Sequence, residues 1–225
     1  MFTVGPAFWG GEAGDPYWSY VRALLHFDGS MVDSAAGGAV YSLLENAVLT
    51  ATDQRFGSGG LDCRNLSGAN GVTSTAHVSL ALGTSDWCIE LFLKDTGIGG
   101  TNKWIFLLEG STATISFWDL GGWTANGDVS STTPATFTKP TEGAWHHLAV
   151  CRSGNTGTVW VNGISQQTFD LTGINFGSGY GTLYLGRSSG SGDYRLLIDD
   201  FRVTVGVPRY TAPFMPAGPF PNRGL

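Results

Sequence analysis

The sequence predicts an all-β fold: a two-sheet antiparallel β-sandwich of the jelly-roll type, with a short extended N-terminal arm and a proline-rich C-terminal tail. Three observations lead to it. Apolar and polar residues alternate over many short runs, while helical periodicity is nearly absent. Glycine supplies 34 of the 225 residues, about twice the usual share, so tight turns are plentiful. Charged residues make up only 13%, about half the usual share, and β-branched and aromatic residues fill the runs between the turns.

The elements follow in order. "VRALLHFDG", Val21 to Gly29, alternates and stops at Asp-Gly. Ala39 to Thr52 has some helical character, but its Tyr, Val and Thr content and its glycine flanks make it strand and loop. "DWCIELFLK", Asp86 to Lys94, sets Trp87, Ile89, Leu91 and Leu93 on one face. "KWIFLLEG" and "ATISFWDLGG" form a hairpin across Glu109 to Thr112. In "AWHHLAVCRSGNTGTVWVNG" one strand runs to Arg152, "SGNTG" turns the chain, and "TVWV" returns to an Asn162-Gly163 turn. "TLYLGR" and "RLLIDDFRVTV" complete the set. About a dozen short strands at this spacing read as a sandwich or jelly roll. Residues 1–19 read as an arm, 20–221 as one domain and 222–225 as its end.

Composition also excludes functions. The net charge is −6 and no basic run exists, so the electrostatic footprint of a nucleic-acid binder is missing. No run is long and apolar enough to span a membrane, and the N-terminus lacks the basic and apolar regions of a secretory signal. Cys63, Cys88 and Cys151 show no CxxC spacing, which argues against zinc. Cys88 and Cys151 sit in apolar runs as small buried residues; the alternative is one disulfide with a third free thiol.

No nucleophile elbow, HExxH or phosphate loop is present. The acidic pair Asp199-Asp200 invites a catalytic reading. Regular alternation, however, sends the two carboxylates to opposite faces, whereas a glycosidase needs them facing one another at about 5–10 Å. Asp199 shares a face with Leu197, Phe201, Val203 and Val205, so it is expected to be buried and partnered. The alternative is a structural calcium, with Asp28, Asp33 and Asp199 as oxygen donors. His146 and His147 point to opposite faces and cannot chelate one ion. Among the aromatics, Trp118 and Trp123 flank a loop and, with Asp119 and Asn126, form the candidate exposed patch for a glycan or partner. Phe8, Trp9, Tyr17 and Trp18 make the arm a candidate assembly element.

The stretches "LLHFDGS", "FGSGGL", "DWCIELFLK", "WHHLAVCRSGNTGTVWVNG", "LYLGR" and "IDDFRVTVGVPRYTAPFMPAGPFP" occur in this order. Together they closely resemble the laminin-G-like, concanavalin A-like jelly-roll domains of tailed bacteriophage structural proteins, over nearly the whole chain. The ending is the most characteristic part, and Tyr210, Phe214 and Phe220 are its candidate anchors on the sandwich. The resemblance implies a non-enzymatic virion surface component of a tail, fibre or decoration that recognises host glycans. It also implies multiple copies and no required cofactor, with a structural calcium as the option, and the arm is the expected contact to other virion proteins. The hydrolase branch uses a Glu-x-Asp-x-x-Glu strand motif, and "IELFLKD" supplies only Glu90 followed by Asp95. A purely architectural virion subunit is the alternative function, and a polysaccharide depolymerase a more distant third.

Overall fold

The computed structural model describes residues 14–35, 37–65, 67–97, 103–119, 123–127, 135–187, 195–216 and 218–224, without side chains at 103, 118–119, 123–127 and 135–137. Fifteen strands appear among them. They are β1 (Val21–Leu25), β2 (Tyr41–Leu44), β3 (Val48–Thr50), β4 (Gly60–Asp62), β5 (Gly71–Ser74), β6 (Trp87–Asp95), β7 (Lys103–Gly110) and β8 (Thr114–Asp119). There follow β9 (Trp123–Gly127), β10 (Ala135–Phe137), β11 (Trp145–Ser153), β12 (Thr156–Val161), β13 (Ile164–Asp170), β14 (Gly181–Leu185) and β15 (Leu196–Val205).

Two antiparallel sheets stack as a sandwich, as the alternation predicted. The eight-stranded sheet runs β13-β12-β11-β6-β15-β4-β3, with β1 also paired to β15. The seven-stranded sheet runs β10-β9-β8-β7-β14-β5-β2. Trp87, Ile89, Leu91 and Leu93 of β6 enter the core between them, against Phe106, Leu108, Ile115 and Phe117 of the other sheet. The Asn162-Gly163 turn has positive φ at both residues, 50° and 77°. That matches the right-handed twist of the β12–β13 hairpin. Among the described residues no helix is long and apolar enough to cross a membrane.

The outer face of the eight-stranded sheet is covered. The C-terminal segment crosses it as a strap and adds a second apolar layer. Tyr210 and Phe214 stack on each other at 3.5 Å and pack over Cys88, Ala149, Cys151 and Trp160. Phe220 joins Val21, Leu24 and Phe92, with Trp18, Phe56 and Trp145 at the margin. Tyr17 and Trp18 therefore lie against their own sheet, Tyr17 with the Arg209 guanidinium 5.3 Å from its ring, and do not extend away as a free arm. Phe8 and Trp9 lie outside the described residues. Asp15 pairs with Gly224, so the two ends of the described chain meet.

The cysteines depart from the first expectation and follow its alternative. Cys88 and Cys151 are disulfide-bonded, and Cys63 is free and buried. The reason is register: β6 and β11 pair Cys88 directly with Cys151, and cross-strand partners share one face. Alternation within each strand cannot reveal that alignment.

Candidate functional site

The chemistry-bearing residues converge beneath the strap. Glu90 on β6 is fully buried. It accepts hydrogen bonds from Arg202 Nε at 2.9 Å and Tyr210 Oη at 2.7 Å, and His147 Nε2 lies 3.1 Å from it. Asp15 is its counterpart, taking Arg202 Nη1 at 2.9 Å and Arg209 Nη1 and Nη2 at 3.1 and 2.5 Å. Two carboxylates thus balance two guanidiniums out of water, the condition under which buried charges are tolerated. Burial by itself would raise the Glu90 carboxyl. Arg202, the His147 hydrogen bond and Arg209 outweigh it and hold Glu90 well below the usual carboxylate range. Burial and the Glu90 charge push the Tyr210 phenol up, so it stays a donor. Every charge in this network has a protein partner, and the strap closes it from solvent. The arrangement fastens the strap and the segment around Asp15 to the sheet. His146 faces the other way and meets Asn162 and the Thr141 carbonyl, in keeping with the opposed faces expected of the two histidines.

The acidic pair corrects a second expectation. A β-bulge shifts the β15–β6 register between Asp199 and Arg202, and Asp200 adopts φ 47°, a left-handed conformation uncommon for a non-glycine residue. Before the bulge the core takes Leu196 and Ile198; after it, Phe201 and Val203. The extra residue puts both carboxylates on the strap side. Asp199 Oδ2 accepts from the Arg55 and Phe56 amides at 2.7 and 2.8 Å. Asp200 bonds His26 Nδ1 at 2.5 Å and the Phe220 amide at 2.6 Å. The Phe56 and Phe220 rings then meet on Phe92, at 4.8 and 5.5 Å. The pair clamps a loop and the strap.

Asp199 Oδ1 has no hydrogen-bond partner although it is buried, and burial, augmented by Asp200, pushes its carboxyl up to about 7. A carboxyl raised from an unfolded value of about 3.9 binds its proton better when folded. Its favourable contribution is complete below about pH 4 and is lost as the pH rises toward 7. Asp199→Asn keeps an acceptor for the two amides and cannot ionise. We expect it to raise stability by about 1–3 kcal/mol at pH 8 and to leave it nearly unchanged at pH 4, measured by urea unfolding. An equal effect at both pH values would refute this account of Asp199.

The other candidate calcium donors are engaged separately. Asp28 Oδ1 takes the Ser58 and Gly59 amides at 2.5 and 2.9 Å. A Cβ at Gly57 would meet that carboxylate at 2.3 Å, and Gly57 has φ 56°, so glycine is required in this turn. Asp33 Oδ1 takes the Leu24 and Ala35 amides, both at 2.9 Å. Among the described residues no three His, Cys, Asp or Glu side chains form a group that could hold a metal ion.

The outer face of the seven-stranded sheet has a different character. Core alternation on β14 buries Leu183 and Leu185 and turns Tyr184 and Thr182 outward. Register aligns Ser42, Thr73, Tyr184, Leu107 and Ser116 in one row across five strands. Trp104, half-buried, precedes the core residues Ile105 and Phe106 and pairs with Trp118 across β7 and β8. Asp119 pairs with Trp123 and Ser116 with Asn126, so the four residues of the expected patch occupy adjoining strands β8 and β9. Their side chains lie outside those described. Tyr184 and Trp104 are absent from the expected site: the Tyr184 signal is local, since in "TLYLGR" it alternates with core Leu183 and Leu185, whereas Trp104 opens the apolar run "WIFLL" and is turned outward only by the irregularity between Trp104 and Phe106. Leu107 and Ser116 are buried within that row; the half-buried Tyr184 and Trp104, with the hydroxyls of Ser42, Thr73 and Thr182, offer an apolar platform with hydrogen-bonding edges.

A family model described as the concanavalin A-like lectin/glucanases superfamily, Laminin_G_3, matches residues 57–205. No curated protein sequence matches the chain. Among solved structures it is similar to domain 4 of AbnA, a GH43 extracellular arabinanase from Geobacillus stearothermophilus, in complex with arabinotriose. That match has 18% identity and a TM-score of 0.66, and covers 84% of this chain and 93% of that one. It is also similar to the ligand binding domain of botulinum neurotoxin serotype D in complex with N-acetylneuraminic acid, at 11% identity and a TM-score of 0.65, covering 86% and 49%. The botulinum neurotoxin serotype G binding domain gives 13%, 0.64, 84% and 48%. The chain spans about half the length of these toxin domains. At such identities the likeness is one of fold.

Proposed function

The chain belongs to the concanavalin A-like lectin/glucanases superfamily, and from that premise we propose that it is a non-enzymatic glycan-recognition protein on the virion surface of a tailed bacteriophage, in a tail, fibre or decoration. One observation carries the reading. The buried acids and bases fasten the strap to one sheet, while the outer face of the other carries Tyr184 and Trp104 among hydroxyl residues. Aromatic rings stack on the apolar faces of sugars and hydroxyls bond their edges. Such shallow sites bind weakly one at a time, and display in many copies on a particle raises avidity by orders of magnitude. Two fold neighbours were solved with arabinotriose and N-acetylneuraminic acid, which supports a saccharide as the ligand class. The phage setting rests on the ordered sequence resemblance, above all on "VPRYTAPFMPAGPFP". Non-catalytic action is supported by Glu90, whose carboxylate is committed to Arg202, Tyr210 and His147. No host glycan bound on an array of host-derived saccharides would defeat this reading; a saccharide-selective signal is expected.

A second reading, an architectural virion subunit, is favoured by the meeting of Asp15 with Gly224. That junction sets the two ends of the described chain side by side. Ordered contacts of these ends in a particle map, together with a silent glycan array, would favour it.

A further inference from the structure

The disulfide lies under the strap, and nothing in the proposed glycan reading uses it. Cys88 and Cys151 are 0% and 2% exposed. Tyr210 and Phe214 pack over them together with Trp160, and the Phe214 and Trp160 rings stand 5.8 Å apart. The cover is fixed at both ends: Tyr210 Oη donates to Glu90 at 2.7 Å, and the Phe214 amide donates to the Gly163 carbonyl at 3.0 Å. Thiol–disulfide exchange needs a thiolate to reach a sulfur directly. With the strap closed, the rings occupy that approach.

We propose that the C-terminal strap is a gate over the Cys88–Cys151 pair, so that the redox state of the pair is set while the strap is open and kept once it closes. Oxidation in the open form is ordinary exchange with a small-molecule disulfide such as oxidised glutathione. One cysteine thiolate attacks it and releases one glutathione thiol. The second cysteine then displaces the other, leaving the protein disulfide and two reduced glutathiones. Reduction by dithiothreitol runs in the opposite sense: its two thiols supply two electrons and two protons, and it leaves as a cyclic disulfide. In either direction the slow step is lifting two stacked rings and breaking the Tyr210–Glu90 bond. A chain oxidised in one environment thereby carries its disulfide through a reducing one.

The test uses the full oxidised chain in excess dithiothreitol, with thiols trapped by iodoacetamide and counted by mass. Hydrogen exchange at the Phe214 amide reports strap opening, and Trp fluorescence reports global unfolding. The gate predicts that reduction follows the Phe214 exchange and is faster than global unfolding. Phe214→Ala should speed reduction by about tenfold or more and lower Phe214 protection to match, because the packing of a partly buried ring is lost from the closed form only. Phe214→Leu, a milder change, should give a smaller shift in the same direction and serves if the alanine variant does not fold. Reduction at the global unfolding rate in the parent chain, or an unchanged rate in the folded variants, would overturn the proposal.

Discussion

Glu90→Ala is expected to cost about 3–5 kcal/mol, the range for removing one partner of a buried charge network. The magnitude follows from what remains. Arg202 and Arg209 would face Asp15 alone, leaving one buried positive charge without compensation. The Tyr210 hydroxyl and His147 would lose their shared acceptor. A conservative Glu90→Gln keeps much of the shape and should cost less, since an amide accepts one of these bonds. The network also sets a pH dependence with a definite sign. Glu90 is held below its usual range in the fold, so its contribution is fully present above an unfolded pKa of about 4.3 and is lost as the pH falls below that toward the lowered folded value. Acid unfolding should therefore begin at higher pH in the parent than in a variant in which Glu90 is replaced by an apolar residue together with Arg202. Urea titrations from pH 3 to 7, with far-ultraviolet circular dichroism as readout, measure both effects.

Asp15→Ala should have an effect of the same order, about 3 kcal/mol or more, from a residue outside every strand. Asp15 is 1% exposed, and its oxygens accept from Arg202, Arg209 and the Tyr17 amide. Its loss frees both guanidiniums from one partner and unpins Tyr17 and Trp18 from the strap. Limited proteolysis should then cut near residue 17 before the sandwich unfolds. Because Asp15 and Glu90 share Arg202 and Arg209, their truncations should not add; a double-mutant cycle should give a coupling of at least ~0.5 kcal/mol. A cost below ~1 kcal/mol with strict additivity would show that the network is not a unit.

The sandwich was legible because alternation is a local signal. "DWCIELFLK" shows its core face without reference to any partner, and the Asn-Gly turn marks its own hairpin. What lies on the opposite face was not legible. Glu90 reads as a solvent-facing residue until a strap covers it, and its partners lie 57 residues away or more. The bulge at Asp199 to Arg202 has no glycine or proline to announce it, so regular alternation gave Asp199 to the core and Asp200 to the other side. Strand β13, "ISQQTFD", gives no strand signal because an edge strand exposed along most of its length carries no apolar alternation. Pairing of Cys88 with Cys151 depended on inter-strand register. Tyr184 is readable in principle, since it interrupts core aliphatics in "TLYLGR", whereas the outward face of Trp104 depends on an irregularity that its apolar run does not announce. Tryptophans beside a loop read as more accessible than aromatics within a strand.

Saccharide binding is proposed for the outer face of the seven-stranded sheet. It is tested most directly by titrating the best array hit into the parent chain and into Trp104→Ala and Tyr184→Ala, by calorimetry, with thermal unfolding as the control for folding. Each variant should keep its melting temperature within a few degrees and bind roughly tenfold more weakly, as expected for an aromatic at the centre of a binding site. Unchanged affinity in both folded variants would contradict it.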